Sequence, residues 1–353
     1  MKVKIAKAAI LIKQKSELVV DNIQLPSNLE VGQVLVKVFV SGICGSQIGE
    51  IEGVKGEDKF LPHLMGHEGC GEIIEIGPGV KTINVGDRVC LHWRKGIGIQ
   101  SDPPKYIWKD KVLNAGWITT FNNYAVISEN RCTKVSDDIS NDDVALFGCA
   151  VTTGFGVIEN NAELRMGESI VVFGSGGLGL NIIQAAKLRS AWPIIAVDLY
   201  ENRLKLAKEL GAHYCINSNL HNAKDKIETI LGKNKLDVFI DNTGIPEIIE
   251  MGYELTNSSG KVILVGVPRF GSKTNIYTLP LHFGKTILGS HGGESNPELD
   301  IPRYMNLLRM NFWNLNKFIS KRYNLDQINE AISDMRNGSS AGRIMIDMKF
   351  ENS

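Results

Sequence analysis

Apolar positions along the chain change rhythm near residue 150. Before it, short apolar runs such as VGQVLVKVFVSGIC, EGCGEIIEIGPGV, VGDRVCLHW and TFNNYAVIS are broken by Gly, Pro and Asp turns. Runs of this length between turn residues predict strands of an antiparallel barrel. Glycine in units such as VGDRV supplies positive φ where the chain reverses. After residue 150 the pattern becomes strand–helix–strand. ESIVVFG, PIIAVD, HYCIN, LDVFID and KVILVGV are apolar at nearly every position, whereas LGLNIIQAAKLR and ENRLKLAKELGA carry the helical period, the latter closed by Gly211. Strands apolar on both faces, separated by amphipathic helices, predict a doubly wound parallel sheet.

The last stretch changes again. LDQINEAISDMRNG predicts a helix ending at Gly338, and GRIMIDMKF a strand with no place in the α/β sheet. That strand is expected to return to the first domain. The expected organisation is a barrel domain over 1–150, a nucleotide domain over 151–290 inserted into it, and a return over 291–353.

Composition narrows the function classes. The 353 residues carry 39 basic and 39 acidic side chains, and 43% are hydrophobic. Balanced charge gives no general pull toward nucleic acid or anionic membranes. No apolar run approaches the ~20 residues of a membrane helix, and the N-terminal stretch has no small-residue cleavage site. A cytoplasmic protein is expected. The six cysteines are scattered with no CxxC pair, which in a reducing compartment argues against disulfides.

One candidate site is a phosphate loop. GSGGLG, comprising Gly174, Gly176, Gly177, Leu178 and Gly179, follows the strand SIVVF and opens a helix. The glycines permit a tight turn and close approach of backbone to a pyrophosphate, and the helix N-terminus offers free N–H groups. Asp198 ends the next strand at about the 20-residue offset where a carboxylate accepts from a ribose 2′-hydroxyl and repels a 2′-phosphate. NAD is therefore favoured over NADP. The bland alternative is a structural glycine turn with Asp198 as a helix cap. Arg203, nearby, reads as a solvated helix residue.

A second candidate set is Cys44, His67 and Cys149. Two thiolates and an imidazole suit zinc, and three protein ligands leave a fourth position open, as catalytic sites do. Spacing alone does not single this set out. However, GICGS, LPxxxGHEGxGEIxEIGxGV, VGDRV, GCAxTTGFG and GSGGLG occur in the order found in zinc-dependent medium-chain alcohol dehydrogenases, and the chain resembles that family over nearly its whole length. The resemblance implies a GroES-like catalytic domain and catalytic zinc on Cys44, His67 and Cys149. It implies that Glu68 approaches the metal from behind, with a buried paired carboxylate as the alternative. Ser46 resembles the hydroxyl that bonds the substrate oxygen and begins proton transfer. Thr153 resembles a residue packed on the nicotinamide, and Val265, Ser290 and Gly292 positions whose backbone holds the carboxamide. Arg343 resembles a basic residue on the pyrophosphate. A homodimer or homotetramer is also implied. Zinc would act as a Lewis acid on an alcohol, polyol or sugar-like hydroxyl while NAD carries the hydride.

Two departures stand out. Many relatives carry four close cysteines after the VGDRV strand for a structural zinc. Here HWRKGIGIQSDPPKYIWKDKVLNAGWITTF has none, so one zinc per subunit is expected. Trp93, Tyr106, Trp108 and Trp117 could replace that metal by burying area. His92, Arg94 and Lys95 are either substrate contacts or a solvated rim. Second, some relatives end the proton relay on a histidine five residues after the first cysteine ligand, where this chain has Gly49. His63 has no family role and reads as a loop residue. Two other readings compete: a zinc-free quinone or enoyl reductase of the same architecture, and a non-catalytic nucleotide-binding homologue. Neither accounts for the joint presence of Cys44, His67 and Cys149 with the intact glycines.

Overall fold

The computed structural model describes residues 1–315 and 317–350. The first domain is built on the long strand Gln33–Ile43. It pairs antiparallel with Glu68–Ile76 on one side, setting Val40 opposite Cys70, and Glu68–Ile76 pairs in turn with Arg88–His92. Tyr124–Ser128 pairs with the start of Gln33–Ile43, and Cys132–Lys134 with Arg88–His92. The side-chain period of two sends Val34, Val36 and Val38 into one core with Ile73, Val89 and Leu91, while Leu35 joins Ile10 and Val126 in another. Both faces of the strand are thus covered, the expected state of a barrel wall.

The second domain is a six-stranded parallel sheet in sequential order 3-2-1-4-5-6, with Ile170–Phe173 first in sequence and near the centre. Its neighbours are Ile194–Asp198 and Leu236–Asp241. Ile170 and Ile194 on one face and Val171 and Ile195 on the other are fully buried, as sheets covered by helices on both faces require. The order reverses between the first and fourth strands, and ligands bind in the crevice beyond the carboxyl ends of strands at such a point. One strand was not anticipated from the sequence. Thr286–Gly289 forms the sixth, at the sheet edge. It is four residues long and half-exposed, too short to show a pattern.

Two features join the domains. The helices Asn141–Phe147 and Ala150–Gly156 run consecutively from the barrel onto the nucleotide domain. There Gly154 lies so close to the helix Gly177–Leu188 that an added Cβ would stand 2.6 Å from Asn181 Cβ. The C-terminal strand Arg343–Asp347 leaves the nucleotide domain and pairs antiparallel with Val40–Ile43. A parallel neighbour, Ile319–Asn324, extends that sheet. The nucleotide domain is therefore an insertion in the barrel domain, and a cleft runs between them.

The cysteine-free segment is held by side-chain hydrogen bonds. Tyr106–Trp108 and Lys111–Leu113 form a hairpin whose turn residues Lys109 and Asp110 both have positive φ. Tyr106 is fully buried and its hydroxyl accepts the Val126 N–H at 2.8 Å, while Trp108 donates to Asp21 at 2.9 Å. Glu129 accepts the Lys81, Thr82 and Ile99 N–H groups at 2.7–2.8 Å and pins the start of the segment. Trp117 is 41% exposed and lies under Arg131.

Candidate active site

Three elements converge on the inner end of the cleft. Cys44 caps the short helix Gly45–Ile51, Cys149 caps Ala150–Gly156, and His67 directly precedes the strand Glu68–Ile76. Their ligand atoms lie within 4.8 Å of one another. His67 Nε2 is buried and has no hydrogen-bond partner. An orphaned buried imidazole nitrogen is costly unless something fills the space before it, so a divalent ion of zinc type fits this set. The adjacent Cys149 thiol, with Arg343 and the His67 ring adding to the effect, holds the Cys44 thiol pKa well below its ordinary value. Gln47, one turn along the short helix, accepts the Cys44 N–H at 2.7 Å and lies 3.3 Å from His67 Nδ1.

Behind the set, Arg343 grips Glu68 in a bidentate pair, Nε to Oε1 at 2.7 Å and Nη2 to Oε2 at 2.9 Å. Both side chains are buried. Glu68 therefore takes the paired arrangement and is not among the atoms that converge with Cys44, His67 and Cys149. Gly42 makes room for it, since a Cβ there would stand 2.1 Å from Glu68 Oε1. The third guanidinium nitrogen of Arg343 points to the phosphate loop, 3.1 Å from where a Gly177 Cβ would be.

The cleft has a volume of about 770 Å³ and contains Cys44 and Ser46 at one end and Asp198 at the other. Gly174 has φ +92°, and a Cβ on Gly179 would stand 2.0 Å from the Gly174 carbonyl, so the turn excludes side chains at both positions. A Cβ on Gly176 would meet nothing within 4 Å, which leaves an open cradle at the N-terminus of Gly177–Leu188, the place for a pyrophosphate. Asp198 Oδ2 accepts the Ser175 N–H at 2.7 Å and Oδ1 the Tyr200 N–H at 3.0 Å.

Comparison with known proteins agrees with this layout. Residues 30–137 match the alcohol dehydrogenase GroES-like domain and residues 177–309 the zinc-binding dehydrogenase domain. An S-(hydroxymethyl)glutathione dehydrogenase of Synechocystis is 28% identical over 337 residues, 88% of this chain and 91% of that protein. A benzyl alcohol dehydrogenase from Acinetobacter calcoaceticus superposes with a TM-score of 0.87 at 28% identity, covering 98% of this chain and all of that one. A zinc-binding alcohol dehydrogenase domain protein from Burkholderia ambifaria gives 0.89 at 27%, with the same coverage. The chain belongs to the zinc-dependent medium-chain alcohol dehydrogenase family.

Other residues of this dehydrogenase depart from the sequence reading. Arg203 is not a solvated helix residue. Its guanidinium stands 3.7 Å from Asp198, stacks on Tyr200, and its Nε donates to the Ser340 carbonyl. Tyr200 and the returning C-terminal segment wrap it. His92 is not a substrate contact: it is buried, with Nδ1 on the Arg94 carbonyl at 2.8 Å and Nε2 on Thr133 at 3.0 Å. Arg94 spans the domains, bonding His291 at 2.6 Å, and Lys95 is exposed rim. His63 lies in a two-residue strand against Ile10–Leu11 and is buried, rather than in a loop.

The expected nicotinamide residues fall into two groups. Val265 lines the cleft, and its N–H is taken by the Asp241 carbonyl. The Thr153 hydroxyl is buried without a partner. Ser290 and Gly292 lie in one turn, where Ser290 Oγ accepts the Gly293 N–H and Gly292, at φ +70°, packs against Trp93. Sequence reasoning missed the Glu68–Arg343 pair, whose members are 275 residues apart, and the cluster of Glu50, Asp58 and His63. No local signal marks either.

Proposed function

We propose that this alcohol dehydrogenase works with one catalytic zinc on Cys44, His67 and Cys149 and with NAD in the cleft, oxidising an alcohol, polyol or sugar-like hydroxyl reversibly. The observation that carries the reading is the convergence of three ligand atoms, one of them an orphaned imidazole nitrogen, at the inner end of a dinucleotide cleft. Bound there, zinc would supply Lewis acidity that lowers the pKa of the substrate hydroxyl, and the nicotinamide would accept the hydride. The rest falls to the chain. Cys44 and Cys149 hold the metal from the ends of two helices, and the Arg343–Glu68 pair fixes the wall behind them. Ser46 lines the cleft two residues from Cys44, and its hydroxyl can accept a proton while donating its own. The open backbone at Gly176, Gly177, Leu178 and Gly179 cradles the pyrophosphate, with Arg343 beside it, and Asp198 takes the ribose. Thr153, Val265, Ser290 and Gly292 bound the nicotinamide end.

Arg203 refines the argument for NAD. Paired with Asp198, it offsets part of the repulsion a 2′-phosphate would feel, so preference rests mainly on hydrogen-bond acceptance by Asp198. Four exposed apolar side chains of the same domain support a homodimer or homotetramer. Val267, Phe270, Tyr277 and Phe283 are 47–82% exposed and flank the edge strand Thr286–Gly289, and an exposed apolar edge favours pairing across a two-fold axis. All six cysteines are free thiols and no helix among the described residues is long and apolar enough to cross a membrane, which supports a cytoplasmic setting. The direct test is NAD reduction across a panel of primary, secondary and poly-alcohols. Turnover of any class with NAD supports the reading, and a zinc-loaded protein inert toward all of them refutes it.

A further inference from the structure

The helix Gly45–Ile51 carries two polar groups with one helical turn between them. Ser46 and Glu50 stand at i and i+4, on the same side of the helix and with Cβ atoms roughly 6 Å apart. Gly49, beside them, offers no side chain. Glu50 Oε1 lies 3.8 Å from His63 Nε2, and that nitrogen lies 2.7 Å from Asp58 Oδ2. His63 Nδ1 donates to the Leu64 carbonyl at 2.9 Å. Both ring nitrogens thus face oxygen atoms, which fixes the ring in place. Asp58 is fixed by the Phe60 N–H on its other oxygen at 2.8 Å. His63 and Asp58 are 8% and 13% exposed at the side chain, but Glu50 is 45% exposed. The cluster therefore runs from buried Asp58 and His63 to Glu50, which reaches water one helical turn from the serine that lines the cleft.

We propose that Glu50, held in place by the His63–Asp58 pair, is the group that receives the substrate's proton from Ser46 and passes it to solvent. The inference rests on the dehydrogenase reading above. During alcohol oxidation the C–H bond would break with its electron pair leaving as hydride, which a nicotinamide bound in the cleft would accept. The O–H bond breaks as its proton moves to Ser46 Oγ. The proton of Ser46 moves to a Glu50 carboxylate oxygen, directly or across one water, and Glu50 then releases it to bulk water. Reduction runs the same path backwards. Burial raises the Glu50 pKa, partly offset by the charges of His63, His67 and Lys55 and reinforced by Asp58. A carboxylate raised in this way is better matched to accepting a proton near neutrality. Glu50 is the proton acceptor, and His63 and Asp58 position it.

The test is Glu50→Gln, which keeps the shape and removes the acceptor. Alcohol oxidation should slow by about 10²-fold, in the range of a positioned acid–base group, and the acid limb of the kcat profile should disappear, since only ionised Glu50 accepts. Zinc content and NAD affinity should stay at the wild-type level. Acetate should restore part of the activity to Glu50→Ala. His63→Gln should shift the acid limb rather than abolish it. Independently of turnover, the ring resonances of His63 in substrate-free protein should titrate differently in Glu50→Gln. A Glu50→Gln enzyme with full zinc, near-normal kcat and the wild-type pH profile overturns the proposal. So does a loss of activity that tracks loss of zinc, or unchanged His63 titration. Failure of the wild-type protein to oxidise any alcohol would instead count against the dehydrogenase reading, and the His63 titration would still report on Glu50.

Discussion

Removing Arg343 isolates a buried carboxylate, and the structure allows the cost to be worked out. Glu68 is completely buried and spends both oxygens on Arg343, at 2.7 and 2.9 Å. Its remaining partner is the Ala150 N–H at 3.3 Å. Gly42 leaves no space for the side chain to swing away, because even a Cβ there would collide with Glu68 Oε1. Arg343→Met should therefore cost about 3–5 kcal/mol, the penalty for stranding one member of a buried ion pair. That is a large fraction of the stability of an ordinary domain. The pair's net worth is smaller than this cost, since its attraction repays desolvation of both charges. Glu68→Gln combined with Arg343→Met should accordingly recover most of the loss, with a coupling of about 2 kcal/mol in the double-mutant cycle. Arg343→Lys should fall between, because an ammonium cannot make the bidentate contact. Urea denaturation of metal-free protein gives each value from the shift in midpoint at constant slope. A single-variant cost below about 1 kcal/mol, or a double variant equal to the sum of the singles, would show that the pair is not desolvated as described.

Three other expectations follow from separate parts of the molecule. Asp198→Ala should lower the ratio of kcat/KM for NAD over NADP and Arg203→Ala should raise it, because the first variant frees a cation beside the ribose and the second removes it; equal use of both cofactors by the wild type would contradict this. Burial lowers the His92 pKa from 6.5 to about 4, below its value in the unfolded chain, so the unfolded state takes up the proton first. His92 thus contributes stability above pH 6.5 that is lost as pH falls toward 4, at most about 3 kcal/mol, and His92→Gln should flatten that acid loss in denaturation profiles; an unchanged slope would be the wrong result. Light scattering at micromolar concentration should give a multiple of the 38.9 kDa chain, and Phe270→Asp with Phe283→Asp should weaken the assembly.

What could be read from sequence was local. The glycine loop, the strand ending in Asp198 and the change of period near residue 150 each depend on neighbours within a few turns of chain. Cys44, His67 and Cys149 became a set only through ordered motifs, because the fold brings them together from three elements. Pairings across the fold were out of reach. Arg343 reads only as a basic residue for the pyrophosphate until its strand is laid against Val40–Ile43, which swings it onto Glu68. His63 reads as a loop residue until Leu64 pairs with Ile10. Arg203 reads as surface because the Ser340 carbonyl that closes over it, beside its neighbour Tyr200, comes from the far end of the chain. The lack of the four cysteines was legible in the lobe after the VGDRV strand, but its hairpin, held by Trp108 on Asp21 and Tyr106 on Val126, was not.

Metal analysis of the chain purified with zinc present is the most direct test of the account. It should find about one tightly bound zinc per chain, as three convergent ligands with an open fourth position require. Cys149→Ala should lose that zinc together with NAD-linked alcohol oxidation while its circular dichroism stays that of the folded protein. Two zinc ions per chain, none at all, or full metal retention by Cys149→Ala would contradict it.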